Sequence, residues 1–347
     1  MGLDQDGAYV EMSYERVSII AQSVTEGLKL RADIAGSAAR GYADVVIDPF
    51  QGNQKPISGA LLINDINLAV LRPFFPNFQT LTGTANIAGG LGGTLSQPLF
   101  YGNADLSNGV LAVAGVPINL SNINANAQIR GTNAVLTGDF TAGQGDGELS
   151  GEFDWSQTLQ ARLRISGEDL DVSQPPLVTA KMTPDIEVIV RPFEKYIDIQ
   201  GVISVPSAII RPPEATADIV SESVDVTVLD RRAAGNIEQV LAVTAPWSIN
   251  ADIGLDLGDD VTFRGLGARL PLAGALHITQ ADQGVMRGLG VVQVSERTTI
   301  DGIGQNLELN YAQIRFNGDI ANPRLSIEAE KEIEGQTVGV RIKGTAN

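Results

Sequence analysis

Residues 247–257 read WSINADIGLDL, in which every odd position is apolar and every even position is polar or glycine. Successive side chains of a β-strand point to opposite faces, so this period of two predicts a strand with one apolar and one solvated face. The same alternation recurs at residues 123–129, 159–166, 325–329 and 338–342. The sequence therefore predicts an all-β chain of about 15 to 18 strands in a mostly antiparallel sheet.

Turn sequences separate the predicted strands. Glycine pairs and Asn-Gly or Gly-Asp dipeptides supply the backbone conformations that tight turns require. They occur at Gly92-Gly93, Asn108-Gly109, residues 143–147, residues 258–260 and Asn317-Gly318. We expect each of them to end one strand and start the next.

The composition does not divide the chain into two separate globules. The weakest points are Pro212-Pro213 and the stretch that begins at residue 231, which has a partly apolar stripe of helical period. We therefore predict one continuous sheet made of residues 1–230 and residues 247–347, joined by a connector or short helix at 231–246. A short helical turn is also expected in residues 68–78, interrupted by prolines.

Charge and cysteine content exclude several classes of function. The 347 residues include 24 basic and 41 acidic side chains, a net charge of −17, which argues against binding nucleic acid. The absence of cysteine excludes disulfides, thiolate metal sites and thiol nucleophiles. No apolar run reaches the roughly 20 residues of a membrane helix, and the N-terminus does not read as a signal peptide. If the protein is exported, we expect the chain to be an interior segment of a longer one.

No catalytic or metal-binding pattern is found, so the sequence predicts neither an enzyme nor a cofactor. There is no Gly-x-Ser-x-Gly elbow and no phosphate-binding glycine loop. The single histidine, His277, has apolar neighbours and is expected to point outward with the polar positions. The acidic residues near 252–260 and 139–148 lack the spacing of a calcium loop.

An apolar face this extensive must be hidden, and the residues alone leave three solutions open. A sandwich, a closed barrel and a sheet folded along its length would all cover it. Its side chains are mostly Leu, Ile, Val and Ala, and only 5% of the chain is aromatic. Such side chains suit either a smooth trough or an ordinary closed core.

Three blocks of sequence point to a family. Residues 68–76 read LAVLRPFFP and lead through glycine-rich turns to residue 109; residues 199–210 read IQGVISVPSAII; residues 318–329 read GDIANPRLSIEA and lead into VGVRIKGT. In this order the blocks resemble the C-terminal region of the TamB family of AsmA-like envelope proteins. The chain departs from the family pattern at Val224 and at Asn310-Tyr311, which suggests local differences in turns.

The resemblance implies a long, twisted, U-shaped and mostly antiparallel sheet, a β-taco, with a hydrophobic groove and very little helix. It further implies a periplasmic segment of a longer, inner-membrane-anchored protein that shields phospholipid acyl chains between the two membranes. A TamA-like outer-membrane barrel protein is the implied partner, through a final segment absent here, and nascent outer-membrane proteins are a further one. Two alternatives are a chaperone or template for barrel assembly with TamA and a structural adhesin-like scaffold.

The residues expected to line the groove are the apolar members of the alternating runs. The other reading is that they pack against each other in a closed core, which uses the same side chains. They are Ile123, Ile129, Leu136, Phe140, Leu159, Leu163, Ile165, Ile186, Val188, Val190, Ile197, Ile199, Ile203, Ile249, Ile253, Leu255, Leu270, Leu272, Leu276, Leu307, Leu309, Ile327, Val338 and Val340.

Overall fold

The computed structural model describes residues 2–3, 9–10, 14–50, 55–74, 78–211, 247–265, 268–282, 284–302, 305–333 and 336–346. These residues form 22 strands and two short 3-10 helices, Leu68–Phe74 and Pro192–Glu194. In the described part of the chain, no helix is long and apolar enough to cross a membrane. The predicted helical turn in residues 68–78 is thus present as a 3-10 helix.

Eleven strands precede residue 160. They are β1 (Gly2–Leu3), β2 (Tyr9–Val10), β3 (Tyr14–Val24), β4 (Gly27–Gly36), β5 (Arg40–Ile47), β6 (Ile57–Asn67), β7 (Phe78–Gly93), β8 (Pro98–Val113), β9 (Asn119–Gly131), β10 (Asn133–Ala142) and β11 (Gly145–Asp154).

Eleven more follow. They are β12 (Gln160–Glu168), β13 (Leu170–Gln174), β14 (Val178–Arg191), β15 (Tyr196–Ile210), β16 (Ser248–Gly265), β17 (Ala268–Gln280), β18 (Arg287–Val294), β19 (Thr298–Gly302), β20 (Gln305–Asp319), β21 (Arg324–Ile333) and β22 (Gln336–Thr345).

Strands β3 to β22 form one sheet of 20 strands, and β1 pairs with β2 separately. Strand β3 pairs with β4 and β22 pairs with β21, and no hydrogen-bonded pairing joins β3 to β22 among the described strands, so the sheet is open. Its pairs are antiparallel except for β15 with β16. The predicted all-β, mostly antiparallel architecture is confirmed and is consistent with a β-taco-like fold; the strand number, 22 rather than about 15 to 18, is higher than expected.

Two long strands bend where they meet one rim of the sheet. Strand β14 pairs with β12 along one half of its length and with β13 along the other, and β20 pairs in the same way with β18 and β19. Asp169, between β12 and β13, has a φ of +51°, a left-handed conformation that breaks the ladder and turns the chain. Strands β12 and β13 therefore act together as one strand that changes direction, and so do β18 and β19.

Three of the predicted turns are wrong. Asn108-Gly109 lies inside β8, residues 258–260 lie inside β16, and Asn317-Gly318 lies within β20. At the first two, the pairing register shifts and the chain continues as a β-bulge. An unpaired residue in a bulge needs the same backbone freedom as a turn, which is why the sequence signal is the same.

The parallel pair joins two antiparallel halves of the sheet. Tyr196 pairs with Ser248 and Ile210 pairs with Phe263, so Ile210 and Ser248 lie at opposite rims. Pro212-Pro213 and the predicted connector or helix at 231–246 lie outside the described residues. The three-part division of the chain therefore stays a prediction.

Candidate functional site

One apolar face runs without a break across the strands of the sheet. Residues that pair directly across neighbouring strands lie on the same face, so the register follows the face from strand to strand. A single row through the centre of the sheet contains Ile129, Ala134, Phe153, Ala161, Val190, Ile197 and Ile249, and the next contains Ala127, Leu136, Gly151, Leu163, Val188, Ile199 and Ala251. The apolar face is therefore a property of the whole sheet.

The parallel junction does not interrupt this face. Ile199 on β15 lies opposite Ala251 on β16, and Ile203 lies opposite Leu255, so apolar residues meet apolar residues across it. Strand β17 continues the row with Leu276, opposite Leu255. The two antiparallel halves thus share one face.

The same face extends to both edges. Near the N-terminal edge, Ile34 on β4 lies opposite Val17 on β3. Near the other edge, Ile327 on β21 lies opposite Ile342 on β22. Between β4 and β20, the positions of this face in the described strands hold no charged side chain. On β21, Lys331 lies on the apolar face, opposite Val338.

All but one of the predicted groove residues fall within strands, at positions of the apolar face. The exception is Leu159, which directly precedes β12 and continues its alternation. Their placement on one face follows from the register, while their contact with lipid stays a prediction. Sequence reasoning missed the face on β3 to β8, although residues 28–34 read LKLRADI and carry the same alternation as residues 247–257.

Most side chains of the apolar face are neither buried nor fully exposed. At the edges they are open to solvent: the exposed fraction is 77% for Ile19 on β3 and 54% for Val338 on β22. In the middle of the sheet, Leu163, Val188 and Ile253 are half-buried. A core covered by a second sheet would bury such side chains completely.

Complete burial is concentrated along one rim, the rim that carries Ala142, Ile210 and Leu307. Three small clusters lie there, centred on Phe140 with Leu170, on Val205 with Val261, and on Leu307 with Leu309. Each cluster lies where strands bend or bulge, which brings neighbouring side chains over one another.

At two points of the apolar face, an aromatic ring lies close to a glycine of the neighbouring strand. A Cβ atom at Gly147 would lie 2.2 Å from Cζ of Phe140, and one at Gly89 would lie 2.6 Å from Cζ of Phe100. Since real Cβ atoms do not approach that closely, each ring occupies space that a side chain at the glycine would need.

The polar face is held by ion pairs between neighbouring strands. Arg164 Nη2 on β12 donates to Asp185 Oδ2 on β14 at 2.9 Å, and this hydrogen bond raises the pKa of Arg164. Within β4, Arg31 Nη2 donates to Asp33 Oδ1 at 2.9 Å and lowers the pKa of that carboxyl, while Arg31 Nη1 lies 3.5 Å from Asp44 Oδ2 on β5. Exposed pairs of this kind stabilise a protein only weakly.

The remaining candidate groups do not form a reactive centre. His277 lies on the polar face with 51% of its side chain exposed, in agreement with the predicted outward orientation, and its Nε2 is 3.2 Å from Asp252 Oδ1. No group of three or more His, Asp and Glu side chains in the described ranges is arranged to hold a metal ion. The structure thus offers the long apolar face as its candidate functional site.

Comparison with known proteins agrees with this architecture. The family model described as the TamB C-terminal domain matches residues 133–347, which is more than half of the chain. The chain belongs to the TamB family. The model of the TamB N-terminal domain matches residues 3–106, so family similarity also includes strands that lie before the blocks recognised in the sequence.

A relative from Haemophilus influenzae is the translocation and assembly module subunit TamB. It is 23% identical over 347 aligned residues, which cover 96% of this chain and 26% of the relative. The chain thus spans about a quarter of the length of that TamB protein.

Proposed function

We propose that the apolar face is a hydrophobic groove that shields phospholipid acyl chains as they cross the cell envelope between the inner and outer membranes. The observation that carries this proposal is the continuity of the face. Apolar positions meet apolar positions across the parallel junction and at both edge pairs, β3 with β4 and β21 with β22, where Lys331 is a charged exception. A face that served only as a core would not need to stay open at both edge strands.

The dimensions and chemistry of the face suit acyl chains. With strands about 4.8 Å apart, the rows of the sheet give it a length of roughly 80 Å. Burial of each methylene is worth about 0.8 kcal/mol, so binding to this face gives a lipid with two acyl chains a large favourable free energy. An exposed apolar surface of this extent is rare on soluble proteins and typically marks a binding site.

Passive sliding is the proposed mechanism. Between β4 and β20, the wall consists mostly of medium-sized aliphatic side chains and glycine, without charges in the described strands that would trap a chain at one point. Head groups remain in water while acyl chains move along positions of similar affinity. This step needs no nucleotide, metal or covalent intermediate from the residues of the groove.

The proposal places this segment in the periplasm, within a longer protein anchored in the inner membrane. The relative's name identifies it as a subunit of a translocation and assembly module, and assembly with a TamA-like outer-membrane barrel protein follows by analogy.

Lipid extraction from the purified protein tests the groove directly. The protein is expressed in a Gram-negative host, purified without detergent, and measured by native mass spectrometry. We expect bound phospholipid in the wild type and its loss in Ile199→Asp, which places a charge on the apolar face. Gln200→Asp adds the same charge to the polar face of the same strand and should retain lipid. A lipid-free wild type with intact strand content would contradict the proposal.

A second candidate function is a template for barrel strands. Strand β22 is an edge strand whose residues are all exposed, and it pairs only with β21 in the described part of the sheet. An exposed strand edge can bind another strand by main-chain hydrogen bonds. Crosslinkers at β22 should then capture nascent outer-membrane protein, whereas the groove proposal expects capture of lipid by residues of the apolar face.

A further inference from the structure

Three cations lie together on the polar face of the last three strands. Arg315 on β20 lies directly opposite Arg324 on β21. Lys343 on β22 lies opposite Ser326, which is two residues from Arg324 on the same face. Neighbours at this diagonal spacing are about 7–8 Å apart, within reach of long side chains. The cluster begins at one rim of the sheet, the rim opposite the one that carries Ala142, Ile210 and Leu307, immediately after the turn at residues 320–323.

In the part of the chain that the structure describes, no carboxylate forms an ion pair with Arg315, Arg324 or Lys343. The carboxylate of Glu328 is the acidic group that Lys343 affects, and it is already held by Arg341, which is the main cause of its lowered pKa. Like charges placed opposite each other on a sheet destabilise it, so in a chain of net charge −17 this clustering requires a reason.

The cations surround a depression of a size suited to a ligand. It has a volume of about 620 Å³ and is lined also by Gln313, Ser326 and Thr345. Known ligand sites occupy about 300–1,000 Å³. Two guanidinium groups and an ammonium group, with hydroxyl and amide groups beside them, match the charge and the acceptor oxygens of a phosphate group.

We propose that Arg315, Arg324 and Lys343 bind a phosphate group at this rim. The inference rests on the proposed function, because a phospholipid with acyl chains on the apolar face would carry its phosphate at a rim. Free inorganic phosphate is the other source of the same chemistry. The site would hold the head group while the chains lie on the opposite face near β20 to β22.

Calorimetric titration of the purified protein distinguishes these sources. The ligands are dihexanoyl-phosphatidylglycerol, dihexanoylglycerol, which has the same chains without phosphate, and sodium phosphate. We expect the phospholipid to bind at least about tenfold more tightly than dihexanoylglycerol, as the loss of charge-assisted hydrogen bonds implies. The double variant Arg315→Gln/Arg324→Gln should lose this preference and keep its affinity for dihexanoylglycerol.

Arg130→Gln is the matched control. Arg130 also lies on the polar face near the same rim, but its partners across the sheet are Tyr101 and Asn133, so no second cation lies opposite it. This variant should retain the preference for phospholipid. The double variant removes a repulsive pair, so its thermal midpoint should not fall, and a loss of binding then reports the site rather than unfolding.

Each outcome is decisive. Phosphate binding that depends on the two arginines, with no preference for the phospholipid, supports the site with free phosphate as its ligand. Equal binding of both dihexanoyl lipids, together with no arginine-dependent phosphate binding, overturns the site and leaves the groove intact. If neither lipid binds, the proposed groove fails, and the sodium phosphate titration alone decides the site.

Discussion

Leu163 on β12 lies directly opposite Val188 on β14, and both side chains belong to the apolar face. On the same two strands, Arg164 pairs with Asp185 on the polar face, so adjacent residues of one strand serve two different environments. A shift of the register by one residue would exchange these faces. The ion pairs between strands thus help to keep the apolar rows aligned.

A charge at Leu163 should block lipid delivery. In the full-length protein, Leu163→Asp places a carboxylate in the middle of a face that has no other charge there, and an acyl chain passing it would meet a desolvated charge. We expect lipid delivery to the outer membrane to fall several-fold. Arg162→Asp, on the polar face of the same strand, is the control. Normal delivery by a folded Leu163→Asp protein would contradict passive sliding.

Gly201 should not tolerate a side chain. Its φ is +143°, and a Cβ atom there would lie 2.2 Å from the carbonyl oxygen of Asp185. We expect Gly201→Ala to lower the free energy of unfolding by about 1–3 kcal/mol or more. Gly254→Ala, on the neighbouring strand, meets nothing closer than a methyl of Val202 at 3.4 Å and should be nearly neutral. Urea unfolding of both variants checks this, and equal stabilities would refute the close approach of the strands.

The cluster around Phe140 should contribute strongly to stability. Phe140 is 6% exposed and packs with Ala142 and Leu170 at the bent rim. We expect Phe140→Ala to cost about 3–5 kcal/mol, as for other buried phenylalanines. Val135→Ala, on the exposed face of the same strand, should cost far less. If urea unfolding gave similar losses for the two variants, the described clustering of buried side chains at this rim would be wrong.

Lowering the pH should destabilise the folded protein by protonating Asp33. The hydrogen bond from Arg31 lowers the pKa of Asp33 in the folded protein, so its contribution is complete above the unfolded pKa of about 4 and is lost as the pH falls through the lower folded pKa. Arg31→Gln should therefore show a smaller loss of thermal stability between pH 6 and pH 3 than the wild type. Arg130→Gln should behave like the wild type. An unchanged acid response in Arg31→Gln would show that the pair does not act in this way.

The sequence predicted the fold class well because period-two alternation is local. It predicted strand ends poorly because a bulge and a turn need the same residues: Asn108-Gly109 bends β8 without ending it. The parallel pairing of β15 with β16 was not predictable, since it depends on contacts between residues distant in the chain. The cation cluster was equally hidden, because Arg315, Arg324 and Lys343 become neighbours only through register.

Photo-crosslinking at adjacent residues of one strand tests the central claim most directly. A photoreactive phenylalanine analogue is placed in turn at Ile197, Asp198, Ile199 and Gln200 of β15, and the protein is irradiated in cells before its adducts are identified by mass spectrometry. The account predicts phospholipid adducts at Ile197 and Ile199 and none at Asp198 and Gln200, since only the first pair lies on the apolar face. Adducts without this alternation, or protein adducts alone at Ile197 and Ile199, would contradict it.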